Sequence, residues 1–241
     1  MNKFKVDILA IGAHPDDVEL SAGGTIAKMV AEGKKVAFLD LTEGELGSRG
    51  SVESRYKEAE NASKILGVSF RENCQLPDGF IEEDKESLLK IITKIRKFQP
   101  EIVLINAPED RHPDHGLAAK LASRACFLSG LLKIKTSYQG VEQEKWRPKA
   151  VYHYIQDNYL KPDFVIDISG FEEQKFNAIL AYETQFYKPG MKGPKTPISG
   201  EGFMDYLKGR MAQFGRSIQV KSAEGFIASR TIGVKSFFDL I

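Results

Sequence analysis

Residues 6–11 (VDILAI) form a near-continuous apolar run closed by Gly12, the pattern of a strand buried on both faces of a parallel sheet. After a polar loop, the length and spacing of residues 20–31 predict a helix stopped at Gly33. Residues 36–41 predict a second strand, residues 42–50 a glycine-rich loop, and residues 53–66 a helix closed by Gly67. Residues 68–74 read as a third strand. Residues 87–98 read as a helix with Leu88, Ile91, Ile92 and Ile95 on one face, residues 102–105 as a fourth strand, and residues 116–128 as another helix. This alternation predicts an α/β fold: a doubly wound, mostly parallel sheet with helices on both faces and right-handed crossovers.

Beyond residue 130 the pattern weakens. Residues 151–155 and 164–168 predict two more strands, residues 171–186 a helix, and residues 203–214 an amphipathic segment that re-enters the fold. Residues 188–202 hold three prolines and four glycines, a loop too long for a simple connector, which reads as a lid or as a disordered linker. There is no internal repeat and no second boundary, so residues 1–241 read as one domain.

Composition narrows the classes. With 42% hydrophobic and 28% charged residues over 241 positions, the chain can bury a sizeable core. Its 34 Lys plus Arg against 33 Asp plus Glu give a net charge of +1, which supplies no electrostatic reason to bind nucleic acid or an anionic membrane. No apolar stretch approaches the ~20 residues of a membrane span. Cys74 and Cys126 form no CxxC pair and no disulfide framework, so a reducing compartment and a cytoplasmic location are expected.

The chemistry sits in two loops. The first strand runs into Ala13-His14-Pro15-Asp16-Asp17-Val18-Glu19, the fourth into residues 106–115 (NAPEDRHPDH), and three of the four histidines lie in these loops. In the strand order 3-2-1-4, strands one and four are neighbours at the topological switch, so the two loops face each other across the ligand crevice. Imidazole and carboxylate together are what a catalytic Zn²⁺ or Fe²⁺ site uses, and Pro15 and Pro113 stiffen both turns. Taken singly, Asp16 or Asp17 reads equally as a helix cap, and His112 or His115 as a surface histidine. His153, in the alternating VYHYI run, reads as structural. No GxGxxG follows the first strand, which argues against a dinucleotide-binding protein.

His14-Pro15-Asp16-Asp17, Gly23-Gly24-Thr25, Arg55-x-x-Glu58, Leu76-Pro77-Asp78-Gly79 and Arg111-His112-Pro113-Asp114-His115 occur in that order over most of the chain. The set resembles the LmbE-like, or PIG-L-like, metal-dependent N-acetylglucosamine deacetylases. The resemblance implies an LmbE-like, Rossmann-like fold and hydrolysis of an N-acetyl group on a small-molecule GlcNAc conjugate by metal-activated water. It also implies His14, Asp17 and His115 as ligands of Zn²⁺, or Fe²⁺ in the cell, and Asp16 as general base. His112 would stabilise the oxyanion or protonate the leaving amine. The residues themselves do not choose His115 over His112.

Glu224-Gly225-Phe226, Arg230, Ile232-Gly233-Val234 and Phe238-Asp239-Leu240 resemble the ending of the bacillithiol-biosynthesis deacetylases, which act on N-acetylglucosaminyl malate. The same tail reads equally as subunit packing. The resemblance points to a homo-oligomer, a hexamer among some relatives, and residues 236–241 suit an interface. Arg55 and Arg111 offer planar forks for a malyl carboxylate, although Arg55 also suits an i,i+3 pair with Glu58 and Arg111 a solvated position. Asp78 suits sugar hydroxyls or only its turn. Asp114 suits either favouring a His112 imidazolium or capping the helix. Rival readings are deacetylation of chitin-derived oligosaccharides, phosphoester hydrolysis, and a non-catalytic metal- or sugar-binding module, which would not need Asp16.

Overall fold

Strand β1 (Ile8–Gly12) and strand β2 (Val36–Thr42) are buried along their whole length, as apolar runs in a parallel sheet require, with the one charge of β2, Asp40, held by Arg71. The computed structural model describes residues 2–187, 190 and 193–240. Helix α1 (Asp17–Ala31) lies between these strands; α2 (Val52–Leu66), β3 (Phe70–Leu76), α3 (Lys85–Phe98), β4 (Ile102–Ile105) and α4 (Pro113–Leu128) continue the alternation. A small hairpin of β5 (Ser137–Tyr138) and β6 (Val141–Glu142) stands apart from the main sheet. The chain then forms β7 (Ala150–Tyr154), β8 (Phe164–Asp167), α5 (Glu172–Leu180), α6 (Phe203–Ser217) and β9 (Ala223–Ala228).

The main sheet has seven strands in the order β3-β2-β1-β4-β7-β9-β8. The first five run parallel, and β9 is antiparallel to both of its neighbours. Successive side chains of a strand point to opposite faces. Leu9 and Ile11 of β1 accordingly join Leu39, Ile91, Ile95, Phe98 and Leu121 in one core, while Ile8 and Ala10 join Ala22, Ile26, Phe38, Leu66 and Tyr182 in the other. The expected doubly wound α/β fold is present, and β1 and β4 are neighbours, with Ile8 opposite Ile102.

Three expectations need correction. The third strand begins at Phe70, not Val68, because Gly67 closes α2 at φ 74° and the Val68 amide donates to the Ser63 carbonyl, keeping Val68 within the helix cap. The helix expected over residues 171–186 ends at Leu180: farther on, Thr184 gives its amide and its hydroxyl to the two carboxylate oxygens of Glu58, so the chain turns there. Strand β9 is not predicted by the hydrophobic pattern, because its run AEGFIA is interrupted by a charge. Glu224 is nonetheless buried, its Oε1 2.5 Å from Lys175 Nζ, and it accepts the amides of Gly24 and Thr25. The glycines of α1 let Ile168 and Lys175 pack close to the helix: a Cβ on Gly24 would lie 2.6 Å from Ile168 Cδ1, and one on Gly23 3.3 Å from Lys175 Cγ.

Of the expected lid, residues 188, 189, 191 and 192 lie outside the described residues. The tail proposed for an interface carries Phe237 and Phe238 at 90% and 97% exposure, and its last residue, 241, is likewise outside. No helix among the described residues is long and apolar enough to cross a membrane.

Candidate active site

Gly12 ends β1 where a side chain would press within 3.0 Å of the His14 carbonyl, so the chain can turn sharply into the loop that carries His14, Asp16 and Asp17. At the end of β4, the buried Asn106 ties the two loops together. Its Oδ1 accepts the Ala13 amide at 2.9 Å, and its Nδ2 donates to Asp17 Oδ2 at 3.0 Å and to Gln156 Oε1 at 2.9 Å. Gln156, just after β7, donates in turn to Asp17 Oδ1 at 3.1 Å. Sequence reasoning misses both Asn106 and Gln156, although each is the first polar residue after an apolar strand at the sheet's C-terminal edge, where such residues point into the crevice.

Asp17 is where the loops converge. Its Oδ1 lies 3.1 Å from His115 Nε2, its Oδ2 lies 3.7 Å from His14 Nδ1, and Oδ2 also accepts the His14 amide. The opposite nitrogen of each ring is held by carboxylates: His14 Nε2 by Asp78 at 3.0 Å and Asp114 at 3.2 Å, His115 Nδ1 by Asp110 at 2.5 Å. The three rings of His14, His112 and His115 pack with centroids 4.7–5.5 Å apart, and one nitrogen from each ring lies within 4.8 Å of the others.

Charge follows from this packing. Burial works against a charged His14, but Asp114, Asp17 and Asp78 outweigh it and hold its pKa well above the ordinary imidazole range. Burial likewise opposes His115, yet Asp17 and Asp110 push it up to about 9. Burial would raise Asp17, and the two histidines hold it well below the usual carboxylate range instead. Asp16 is the exception: burial and the neighbouring Asp17 charge push it up to about 7 against the opposing charge of Arg55. Asp16 also has φ 115°, a left-handed conformation that a residue with a Cβ adopts only under constraint.

The site meets a test for a divalent cation. His14 Nδ1, an Asp17 oxygen and His115 Nε2 converge from two stiff loops, each imidazole steadied from behind by a carboxylate, which is the donor set and outer support of catalytic zinc centres. A cation there would compete with protons for His14 Nδ1 and His115 Nε2.

The other expected residues divide. Neither Asp16 nor Asp17 caps α1: the former has no capping bond, and the latter turns back to the His14 amide. Arg55 does not pair with Glu58; its Nη1 donates to the Pro15 carbonyl at 2.7 Å and to Asp16 Oδ2 at 3.2 Å. Asp114, whose Oδ2 is held by His14 and the Gly79 amide, favours a charged His112 as expected, but burial and the His14 and His115 charges outweigh it. His112 itself is the N-cap of α4, its Nδ1 accepting the Asp114 amide, and burial with the nearby His14 and His115 charges lowers its pKa. Asp78 divides its oxygens between His14 and the Leu46 amide. Arg111, paired with Asp157, remains 41% exposed at the mouth. His153 donates from Nδ1 to the Asn106 carbonyl and is structural.

These residues surround a cavity of about 340 Å³. Asp16, Asp17, His14 and His115 line it together with Arg55, Arg111 and His112, and Thr196, Pro197 and Ile198 from the expected lid complete one wall.

The PIG-L family, described as GlcNAc-PI de-N-acetylase, matches residues 9–126. A diacetylchitobiose deacetylase from Thermococcus kodakarensis is 33% identical over 189 residues, which cover 74% of this chain and 70% of that protein. The chain belongs to the PIG-L family. The conserved protein TT1542 from Thermus thermophilus superposes with a TM-score of 0.85 at 35% identity, covering 96% of this chain and 98% of that one. A 4-oxalmesaconate hydratase from Pseudomonas putida is 29% identical over 196 residues, 74% of each chain. The PIG-L match contains both histidine loops, whereas Gln156, Asp157 and the wall at residues 196–198 lie beyond it. The shared segment thus carries the histidine and aspartate cluster and Arg111, and the remainder adds Gln156, Asp157 and the wall at residues 196–198.

Proposed function

We propose that this chain is a metal-dependent N-deacetylase of GlcNAc-containing small molecules, with N-acetylglucosaminyl malate as its substrate and the cytoplasm as its location. The observation that carries the reading is the buried carboxyl of Asp16, held by Arg55 beside the His14, Asp17 and His115 cluster on the floor of the cavity. His14, Asp17 and His115 would hold Zn²⁺, or Fe²⁺ in the cell, and a cation there supplies Lewis acidity to water and to the amide carbonyl.

Asp16 removes a proton from the attacking water and returns it to the departing amine; help of this kind is worth ~10²–10⁴-fold. Arg55 fixes the Asp16 carboxyl in place. A neutral His112 whose Nδ1 accepts the Asp114 amide carries its proton on Nε2, and this N–H is free to donate to the oxyanion without an imidazolium. Arg111, steadied through its Nε by Asp157, presents its Nη atoms at the mouth for the malyl carboxylates. Asp78 shapes the turn beside His14 and offers its remaining acceptor capacity to the sugar.

The test is acetate release from N-acetylglucosaminyl malate, N-acetylglucosamine and diacetylchitobiose, with hydration of 4-oxalmesaconate followed in parallel. The malate conjugate should react fastest and the hydration assay should be blank. Equal rates on the three acetylated sugars reject the substrate assignment, and hydration without acetate release rejects the deacetylase reading.

A further inference from the structure

Two histidines of the HPDH turn stack on each other, with ring centroids 5.1 Å apart and planes at 29°. Both face the cavity, yet a site with one ligand and one hydrogen-bond donor needs them to differ. We propose that Asp110 is the positioning residue that makes His115 the cation ligand and leaves His112 as the donor. This rests on the metal-centre reading above.

The carboxylate of Asp110 is fully buried and both of its oxygens are engaged. Oδ2 lies 2.5 Å from His115 Nδ1, and Oδ1 accepts the amide of Asn158 at 2.6 Å. An ionised carboxylate only accepts, so a neutral His115 facing it carries its proton on Nδ1 and its lone pair on Nε2. That Nε2 is the nitrogen 3.1 Å from Asp17 Oδ1. His112 is arranged in the opposite sense: its Nδ1 accepts the Asp114 amide, so its proton is on Nε2 and that nitrogen has no lone pair to give.

Asp110 cannot easily turn away from His115. Its own oxygen is bonded to Asn158, and the next residue, Arg111, pairs with Asp157. Two adjacent residues of the loop after β4 are thereby fastened to two adjacent residues of the loop after β7. The loops leaving neighbouring strands hold the ring orientation, which is the preorganisation a metal ligand requires.

The experiment measures Zn²⁺ affinity of wild type, Asp110→Asn and Asp110→Glu by competition with a chromophoric chelator, with far-ultraviolet circular dichroism to establish folding. The asparagine variant should bind Zn²⁺ 10–100-fold more weakly, the loss usual for removing an outer-shell carboxylate, and the glutamate variant should recover part of it. In the zinc-loaded wild type, ¹⁵N NMR should find His115 bound through Nε2 with a hydrogen-bonded proton on Nδ1; in the asparagine variant that resonance should move. An Asp110→Asn affinity within twofold of wild type, or, should asparagine fail to fold, an Asp110→Ser variant with wild-type Zn²⁺ affinity and an unchanged Nδ1 proton, overturns the proposal. Wild type that binds no Zn²⁺ instead overturns the metal-centre reading beneath it.

Discussion

Arg55 reaches from α2 to the buried carboxyl of Asp16, its Nη1 3.2 Å from Oδ2, and the same nitrogen holds the Pro15 carbonyl at 2.7 Å. One guanidinium therefore fixes both the side chain of Asp16 and the backbone leading into its left-handed conformation at φ 115°. A charge-assisted hydrogen bond is worth roughly 1.5–3 kcal/mol. Arg55→Met should lower kcat for acetate release about 10–100-fold while the Zn²⁺ affinity stays close to wild type. Unchanged kcat in a folded variant would remove Arg55 from the positioning of Asp16.

Asp16→Asn keeps the shape of the side chain and removes its capacity to take a proton. Steady-state assays should find kcat reduced by ~10²–10⁴-fold, with metal content measured by atomic absorption equal to that of wild type. An asparagine variant that turns over like wild type removes Asp16 as the base.

The Lys175–Glu224 pair is buried on both sides, with side chains 2% exposed. Lys175→Met leaves the Glu224 charge with only the Gly24 and Thr25 amides, and breaking a buried pair in this way costs about 3–5 kcal/mol. Urea unfolding should find that loss, and adding Glu224→Gln should recover part of it because the stranded charge is gone. A double variant no more stable than Lys175→Met alone contradicts the assignment.

Burial opposes an ionised Glu72, but hydrogen bonds from Lys94 and Lys97 outweigh it and lower its pKa. A carboxyl whose pKa falls on folding stabilises the fold above the unfolded value, about 4.3, and this contribution is lost as pH falls through the folded value. Glu72→Gln should therefore lower Tm at pH 7 and make Tm fall less steeply between pH 5 and pH 3 than in wild type. Parallel Tm curves for the two proteins rule out this linkage.

Much of this arrangement is legible without coordinates. The apolar runs of β1, β2 and β4 announce buried parallel strands, and the 3-2-1-4 order brings the loops bearing His14 and His115 together. What stays hidden is polar and long-range. Glu224 disguises β9 because its partners, Lys175 and the α1 amides, are distant in sequence. Asn106, Gln156 and Asp110 act on the site through hydrogen bonds that no spacing rule encodes. The choice between His112 and His115 depends on which nitrogen of each ring is held, a matter of tautomer, which the letters HPDH cannot express.

The central claim is that a cation at His14, Asp17 and His115 is required for amide hydrolysis. The direct measurement is acetate release from N-acetylglucosaminyl malate by wild-type protein stripped with a chelator and verified metal-free, then supplied with one equivalent of Zn²⁺ or Fe²⁺. The account predicts no turnover in the stripped protein and recovery on adding the metal; full activity in verified metal-free protein contradicts it.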